Sequence, residues 1–454
     1  MSIAAKVSEL AQSFTGELLQ PDNPGYEQAR RVHNGLIDKR PAVIARCHGV
    51  ADIVDAVRLA RDTNLEVAVR GGGHNVAGRA TIDNGLMIDL LPMKGIYVDP
   101  AARTARAQGG VLWKEFNRDT QAHGLATTGG VVGTTGIAGL TLGGGLGWLM
   151  PKYGLALDNL RSAEMVMADG RILRASSEDN PDLFWGIRGG GGNFGIAASL
   201  EYDLHPVGPI IAGGLVAHPL QKGADVLKFF REQCASLPDE MMLVAGMVTA
   251  PDGSGAKLAA IVASHCGSLQ DGEKAVSALK TFGPPVLDAM GPIPYCALNG
   301  MLDASLPKGA LNYWKAHFLA DLSDDAIRVL INRFENCPSP MSQIIIEHFH
   351  GAATRVGITE TACTLRTPGF NVVLISQWSD PKDTDKCTAW CRETYKALTP
   401  FLGRTRYMNY TDDRDEAGDI IETLYGPNYK RLRELKTRYD PENFFHTNVN
   451  IRPL

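Results

Sequence analysis

Nine of the nineteen residues between positions 129 and 147 are glycine. No helix or strand is expected to tolerate that density, because each glycine forfeits stability relative to alanine. A run of this kind suits a backbone wrapped closely around a flat or phosphorylated ligand. Two further glycine loops flank it. The first is Arg70-Gly71-Gly72-Gly73-His74-Asn75, which follows a short strand-like run at 65–69. Successive N–H groups in such a turn form an anion-binding concavity, to which Arg70 adds a fixed charge and His74 a nucleophilic imidazole. Alone, this stretch reads equally well as a glycine turn with an incidental histidine; three loops in order favour a ligand. The third runs from Trp185 to Gly195, and Gly190, Gly192 and Gly195 fit the G-x-G-x-x-G pattern. A nucleotide-binding strand–loop–helix unit is rejected there, because residues 196–204 alternate like a strand and open no helix.

A length of 454 residues suggests two or three domains, and the 44% hydrophobic and 21% charged content is ordinary for a globular chain. A net charge of −5 gives no reason to expect nucleic acid or an anionic membrane as partner. Residues 1–16 lack a basic region followed by an apolar run, and no stretch reaches the roughly 18 apolar residues of a membrane span. The eight cysteines form no C-x-x-C pair, and Cys387 and Cys391, one helical turn apart, read as neighbours on a helix. No metal site is expected, and scattered thiols fit a reducing cytoplasm.

Along the chain, strands are expected at 41–46, 65–69 and 85–90, a hairpin at 96–99 and 104–108, and helices at 50–63 and 111–123. Past Pro206 the glycine loops vanish. Helices near 222–236, 271–282, 323–335 and 383–398 interleave with strands near 243–249, 257–264, 312–319, 343–350 and 370–378. That order predicts an α+β unit with an antiparallel sheet covered on one face. Residues 283–309 read as irregular, lining an opening, and residues 439–453 as a polar tail.

Three glycine loops, the histidine in the first and this tail together resemble the vanillyl-alcohol-oxidase superfamily, and more closely the berberine-bridge-enzyme-like flavoproteins and their bacterial relatives of the 6-hydroxy-D-nicotine oxidase type. The resemblance spans residues 40–453 and is weakest in the middle. It implies a discontinuous FAD-binding domain of the PCMH type, with two α/β subdomains, over 1–206 and 412–454, enclosing a substrate domain over 207–411. The family's R-x-G-G-H motif falls on Arg70, Gly72, Gly73 and His74. His74 would then carry FAD covalently, while Arg70, Gly71, Gly72, Gly73, Asn75 and Gly78 would surround the pyrophosphate. Thr135, Gly136, Gly139, Leu140, Gly143, Gly144, Gly145 and Gly147 match the second FAD loop, Gly195 the third, and Asn448 and Asn450 the flavin-lining tail. Where many members carry a second, cysteinyl link, this chain has Val132, so a single histidyl bond is expected. The family's oxygen-gating position falls on Thr135, neither the valine of oxidases nor the leucine of dehydrogenases.

The resemblance implies an oxidoreductase that takes hydride from a C–H beside an alcohol or amine of a small molecule and passes electrons to O2. The alternatives are a dehydrogenase with another acceptor, or a flavin-bearing protein that binds a ligand without turnover. Four candidate bases stand out. His348 and His350 share one side of a strand, with Glu347 and Phe349 on the other, and could move a proton or be core histidines. Tyr407 and Tyr410, with Asn409, precede the return to the flavin domain and could act as acid, base or clamp.

Overall fold

The computed structural model describes residues 2–411 and 420–454. The upper boundary expected for the substrate domain, 411/412, abuts residues 412–419, which lie outside the described residues.

Two sheets build the N-terminal part. In the first, Val43–Arg46, Leu86–Asp89 and Val67–Arg70 run parallel in that order, with Glu17–Leu19 antiparallel at the edge. Helix Val50–Thr63 supplies the crossover, and its Ile53, Ala56, Val57 and Ala60 pack against Val43, Leu86 and Ile88. The second sheet is antiparallel: Ile96–Asp99, Thr104–Gln108, Ile196–Asp203, Leu160–Val166 and Ile172–Ser176. Ile196–Asp203 follows the third glycine loop directly, as its alternation predicts, so no nucleotide-binding helix opens there.

Leu125–Ala126 and His205–Pro206 form a two-stranded sheet, and the largest sheet has eight antiparallel strands drawn from residues 210–378. Helices Gly223–Cys234, Leu269–Thr281, Asp324–Glu335 and Thr384–Leu398 contribute Val226, Phe230, Val276, Leu330, Phe334 and Trp390 to a continuous core with Leu243, Ile261, Ile344 and Val372. Two of these helices start with serine caps, Ser268 and Ser323, whose hydroxyls accept backbone N–H groups in the first turn. The uncapped face of the sheet is left for the site.

Two expectations change. The glycine run at 129–147 does contain a helix, Ile137–Leu142, because Ile137, Ala138, Thr141 and Leu142 bury one face and offset the cost of Gly139. Residues 283–309 are not wholly irregular: Gly291–Pro294 adds to strand Ile210–Pro219, and helix Tyr295–Asn299 follows. The tail docks through helix Tyr429–Tyr439, whose Leu432 and Leu435 join Met165, Phe194 and Ile451 in one core. A fully buried Lys436–Asp440 pair at 2.6 Å anchors it. Lys436 also donates to the carbonyls of Asn193 at 2.7 Å and Phe445 at 2.9 Å, fixing the tail to the third glycine loop. Among the described residues no helix is long and apolar enough to cross a membrane.

Candidate active site

Where the three glycine loops meet the free face of the large sheet lies a cavity of about 1800 Å³ of empty space, mouth included. Gly71, Gly72, Gly73, His74 and Asn75 of the first loop line it, with Thr135, Gly136, Gly139, Leu140 and Gly143 of the second, Gly195 of the third, and Asn448 of the tail.

Glycine is required here by close approach. A Cβ on Gly72 would come within 2.3 Å of the Gly136 nitrogen, so the first two loops touch backbone to backbone. Gly73 bends the chain at φ 68° to present His74. Gly139 differs: beyond its own helix and chain neighbours, an added Cβ would meet no atom of the described residues within 4 Å, although the residue sits in a helix and lines the cavity. Its missing side chain is explained by a group passing close by. Backbone walls and a long cleft of this kind fit FAD, whose pyrophosphate asks for N–H donors and near contact.

The remaining predicted residues serve other ends. Arg70 is turned out of the cavity and buried, its Nε and Nη2 donating to Asp89 at 2.8 and 2.5 Å and its Nη1 to the carbonyls of Ala29 and Arg31. A guanidinium so occupied has no free fork for a pyrophosphate; its role is to tie the loop to strand Leu86–Asp89. Replacing Arg70 with methionine should therefore cost about 3 kcal/mol of stability, the lower end for a broken buried pair, because Asp89 keeps Arg46 Nε at 3.4 Å and the Leu91 N–H at 3.0 Å, measured by denaturant unfolding. Gly78, Gly144, Gly145, Gly147 and Asn450 also lie off the lining. A Cβ on Gly78 would strike Ile37, and one on Gly147 would strike the Gly129 carbonyl, so these glycines pack loops together.

His74 is half-buried in the cavity wall, its Nε2 3.3 Å from Thr134 Oγ1 and its ring stacked on His33. Burial, then the neighbouring His33, push its pKa down to about 3, so the imidazole is neutral and one nitrogen keeps its lone pair.

The sheet supplies the other wall. Trp314, Ile345, Val373 and Ile375 share its free face with Gln343 and Glu347. Strand register sets this: Trp314 faces Ile375, and Ile345 faces Val373. The same alternation sends His348 and His350 to the opposite side. There they stack on each other at 4.4 Å, and His348 packs beside Phe370. Neither lines the cavity, so the histidine pair is withdrawn as a candidate base. Glu347 takes that place. Its Oε1 accepts from Tyr410 Oη at 3.2 Å and its Oε2 from Asn371 Nδ2 at 2.7 Å. Burial raises its pKa to about 7, the two hydrogen bonds pulling the other way. A carboxyl poised at neutrality in an apolar cavity is suited to moving one proton.

Tyr410 lies on the lining between Glu347 and the edge of Trp314. Tyr407 also reaches the cavity, yet its oxygen accepts N–H groups from Gly145 at 2.9 Å, Leu146 at 3.1 Å and Asn409 Nδ2 at 2.9 Å. Burial holds its proton on. Tyr407 is thus a strut for the second glycine loop and not a base.

Family comparisons agree with this geometry. Residues 41–176 match the FAD binding domain model, and residues 406–452 the berberine and berberine-like model. The (R)-6-hydroxynicotine oxidase of Paenarthrobacter nicotinovorans is 30% identical over 97% of both chains. The chain is a berberine-bridge-enzyme-like, FAD-linked oxidoreductase. An FAD-linked oxidoreductase of Dictyostelium discoideum is 29% identical over 99% of this chain and 97% of its own. The crystal structure of 6-hydroxy-D-nicotine oxidase from Arthrobacter nicotinovorans superposes with a TM-score of 0.88 at 29% identity, covering 97% of this chain and 99% of the other. Physcomitrella patens BBE-like 1, at 21% identity and TM-score 0.88, shares the fold.

Sequence reasoning missed Glu347, Asn371, Trp314 and His33. The first had a visible signal: strand alternation already separated Glu347 from the histidines, leaving open only which side faced the cavity.

Proposed function

We propose that this oxidoreductase removes hydride from a C–H beside an alcohol or amine of a compact, mainly apolar molecule and delivers the electrons to O2, with FAD held by a single bond to His74. The observation that carries the reading is the buried Glu347 carboxyl on an apolar wall facing the glycine cradle. Bound FAD would supply the hydride acceptor. Glu347 would receive the O–H or N–H proton on Oε1 or Oε2, so that charge does not build on the substrate as its C–H bond breaks. Tyr410 and Asn371 hold the carboxylate in place, and Trp314, Ile345, Val373 and Ile375 exclude water.

The polar groups near that wall are few and largely engaged: Gln343 and Gln377 both donate to the Ser305 carbonyl. A carbohydrate would leave several hydroxyls unmatched, each costing about 1–3 kcal/mol. Val132 in place of a cysteine supports the single link, and the free state of all eight thiols supports a reducing, cytoplasmic setting. Anaerobic mixing with a panel of cyclic amines, aromatic alcohols and sugars tests the reading. Bleaching of the flavin by members of the first two classes is expected; bleaching by sugars alone, or by none of the panel, contradicts it.

A further inference from the structure

We infer that His33 is the positioning residue for His74, holding its imidazole in the one orientation from which the flavin link is made. The inference rests on His74 being the attachment residue. The two rings lie face to face, centroids 3.9 Å apart and 24° from parallel. Thr134 Oγ1 meets the edge of the His74 ring at Nε2, so a face contact and an edge contact together oppose rotation about both side-chain torsions.

His33 is itself held from both sides. Its N–H donates to the Gly73 carbonyl at 2.9 Å, and its carbonyl accepts from Gly309 N–H at 2.9 Å. The next residue, Asn34, donates to the carbonyls of Val76 at 2.8 Å and Asn312 at 2.9 Å, and accepts from Asn312 N–H. One loop therefore joins the His74 turn to strand Leu311–Leu319 of the large sheet, with His33 at the junction. The oxidation itself has no use for His33: the ring lies off the cavity lining, and its buried Nε2 meets no partner among the described residues. What remains for it is the stacked face. An attachment nitrogen misaimed by an ångström loses orders of magnitude in rate, which gives such a support something to do.

Full-length wild type, His33→Phe and His33→Leu test this, since both substitutions fill the space and only phenylalanine keeps a planar face. Total bound flavin and the fraction retained after acid precipitation are measured on the same preparations, with thermal unfolding as the folding control. We expect all three to bind similar total flavin. Wild type and H33F should retain it to within about threefold of each other, and H33L should retain at least tenfold less. Equal retention by H33L and wild type overturns the inference, as does an H33F variant as defective as H33L. Wild-type protein that releases all its flavin into acid overturns instead the assignment of His74, so the two failures are told apart.

Discussion

Glu347→Gln should slow anaerobic flavin reduction by an alcohol substrate by roughly 10²–10⁴-fold, with FAD still bound and attached. The amide keeps the size of the side chain and a partner for Tyr410 and Asn371 but cannot take a proton. In wild type the reduction rate should rise with pH through about 7, where the buried carboxyl ionises, and the variant should lose that rise. Stability should move the other way. Between the unfolded value of 4.5 and the folded value of about 7, the native carboxyl keeps a proton that the unfolded chain has released. Its stabilising contribution is therefore complete below about 4.5 and is lost as pH climbs through about 7. Above that pH wild type bears the cost of a buried charge, so E347Q should be the more stable protein by up to about 3 kcal/mol. Thermal unfolding of both at pH 5 and pH 8 reads this directly. An E347Q protein with an unchanged reduction rate would remove Glu347 from the chemistry. One destabilised equally at both pH values would remove it from the pH argument.

Gly139→Ala should separate folding from cofactor binding. The residue lies inside helix Ile137–Leu142, and an added Cβ has open space around it in the protein. Alanine there should stabilise the flavin-free chain by about 0.5–1 kcal/mol, the helix-propensity difference. Its methyl should nonetheless crowd the group that runs past it, so FAD affinity should fall at least tenfold, measured by titrating flavin-free protein. Gly136→Ala provides the contrast, because its Cβ would fall 2.3 Å from the Gly72 nitrogen. That variant should lose stability whether or not FAD is present. A G139A chain that binds FAD as wild type does would mean that the cofactor takes another course through the cavity.

Much of the architecture was legible because its signals are local. The helix at 50–63 lies where the spacing of Val50, Ile53, Val54 and Val57 puts it, and the four helices of the large unit fall within two residues of their expected ends. Glycine density located the cradle, since backbone contacts such as Gly72 on Gly136 exclude any other residue type. What stayed hidden depends on which side of an element faces inward. Alternation put Glu347 and His348 on opposite faces, but only the packing of four helices on one side of the sheet decides that Glu347 looks into the cavity. Arg70 misled for the same reason: a charge beside a glycine loop reads as an anion site until Asp89, nineteen residues on, is found to occupy it. His33 left no trace, because its partner is forty-one residues away and the contact is a ring face.

The central claim, that FAD is carried on this chain by His74 alone, is tested most directly by proteolytic digestion of the native protein and mass mapping of the flavin-bearing peptides. One FAD adduct is expected, on the peptide that contains His74, together with its loss in His74→Ala. An adduct on any peptide bearing one of the eight cysteines without His74, or flavin found only free in solution, would contradict it.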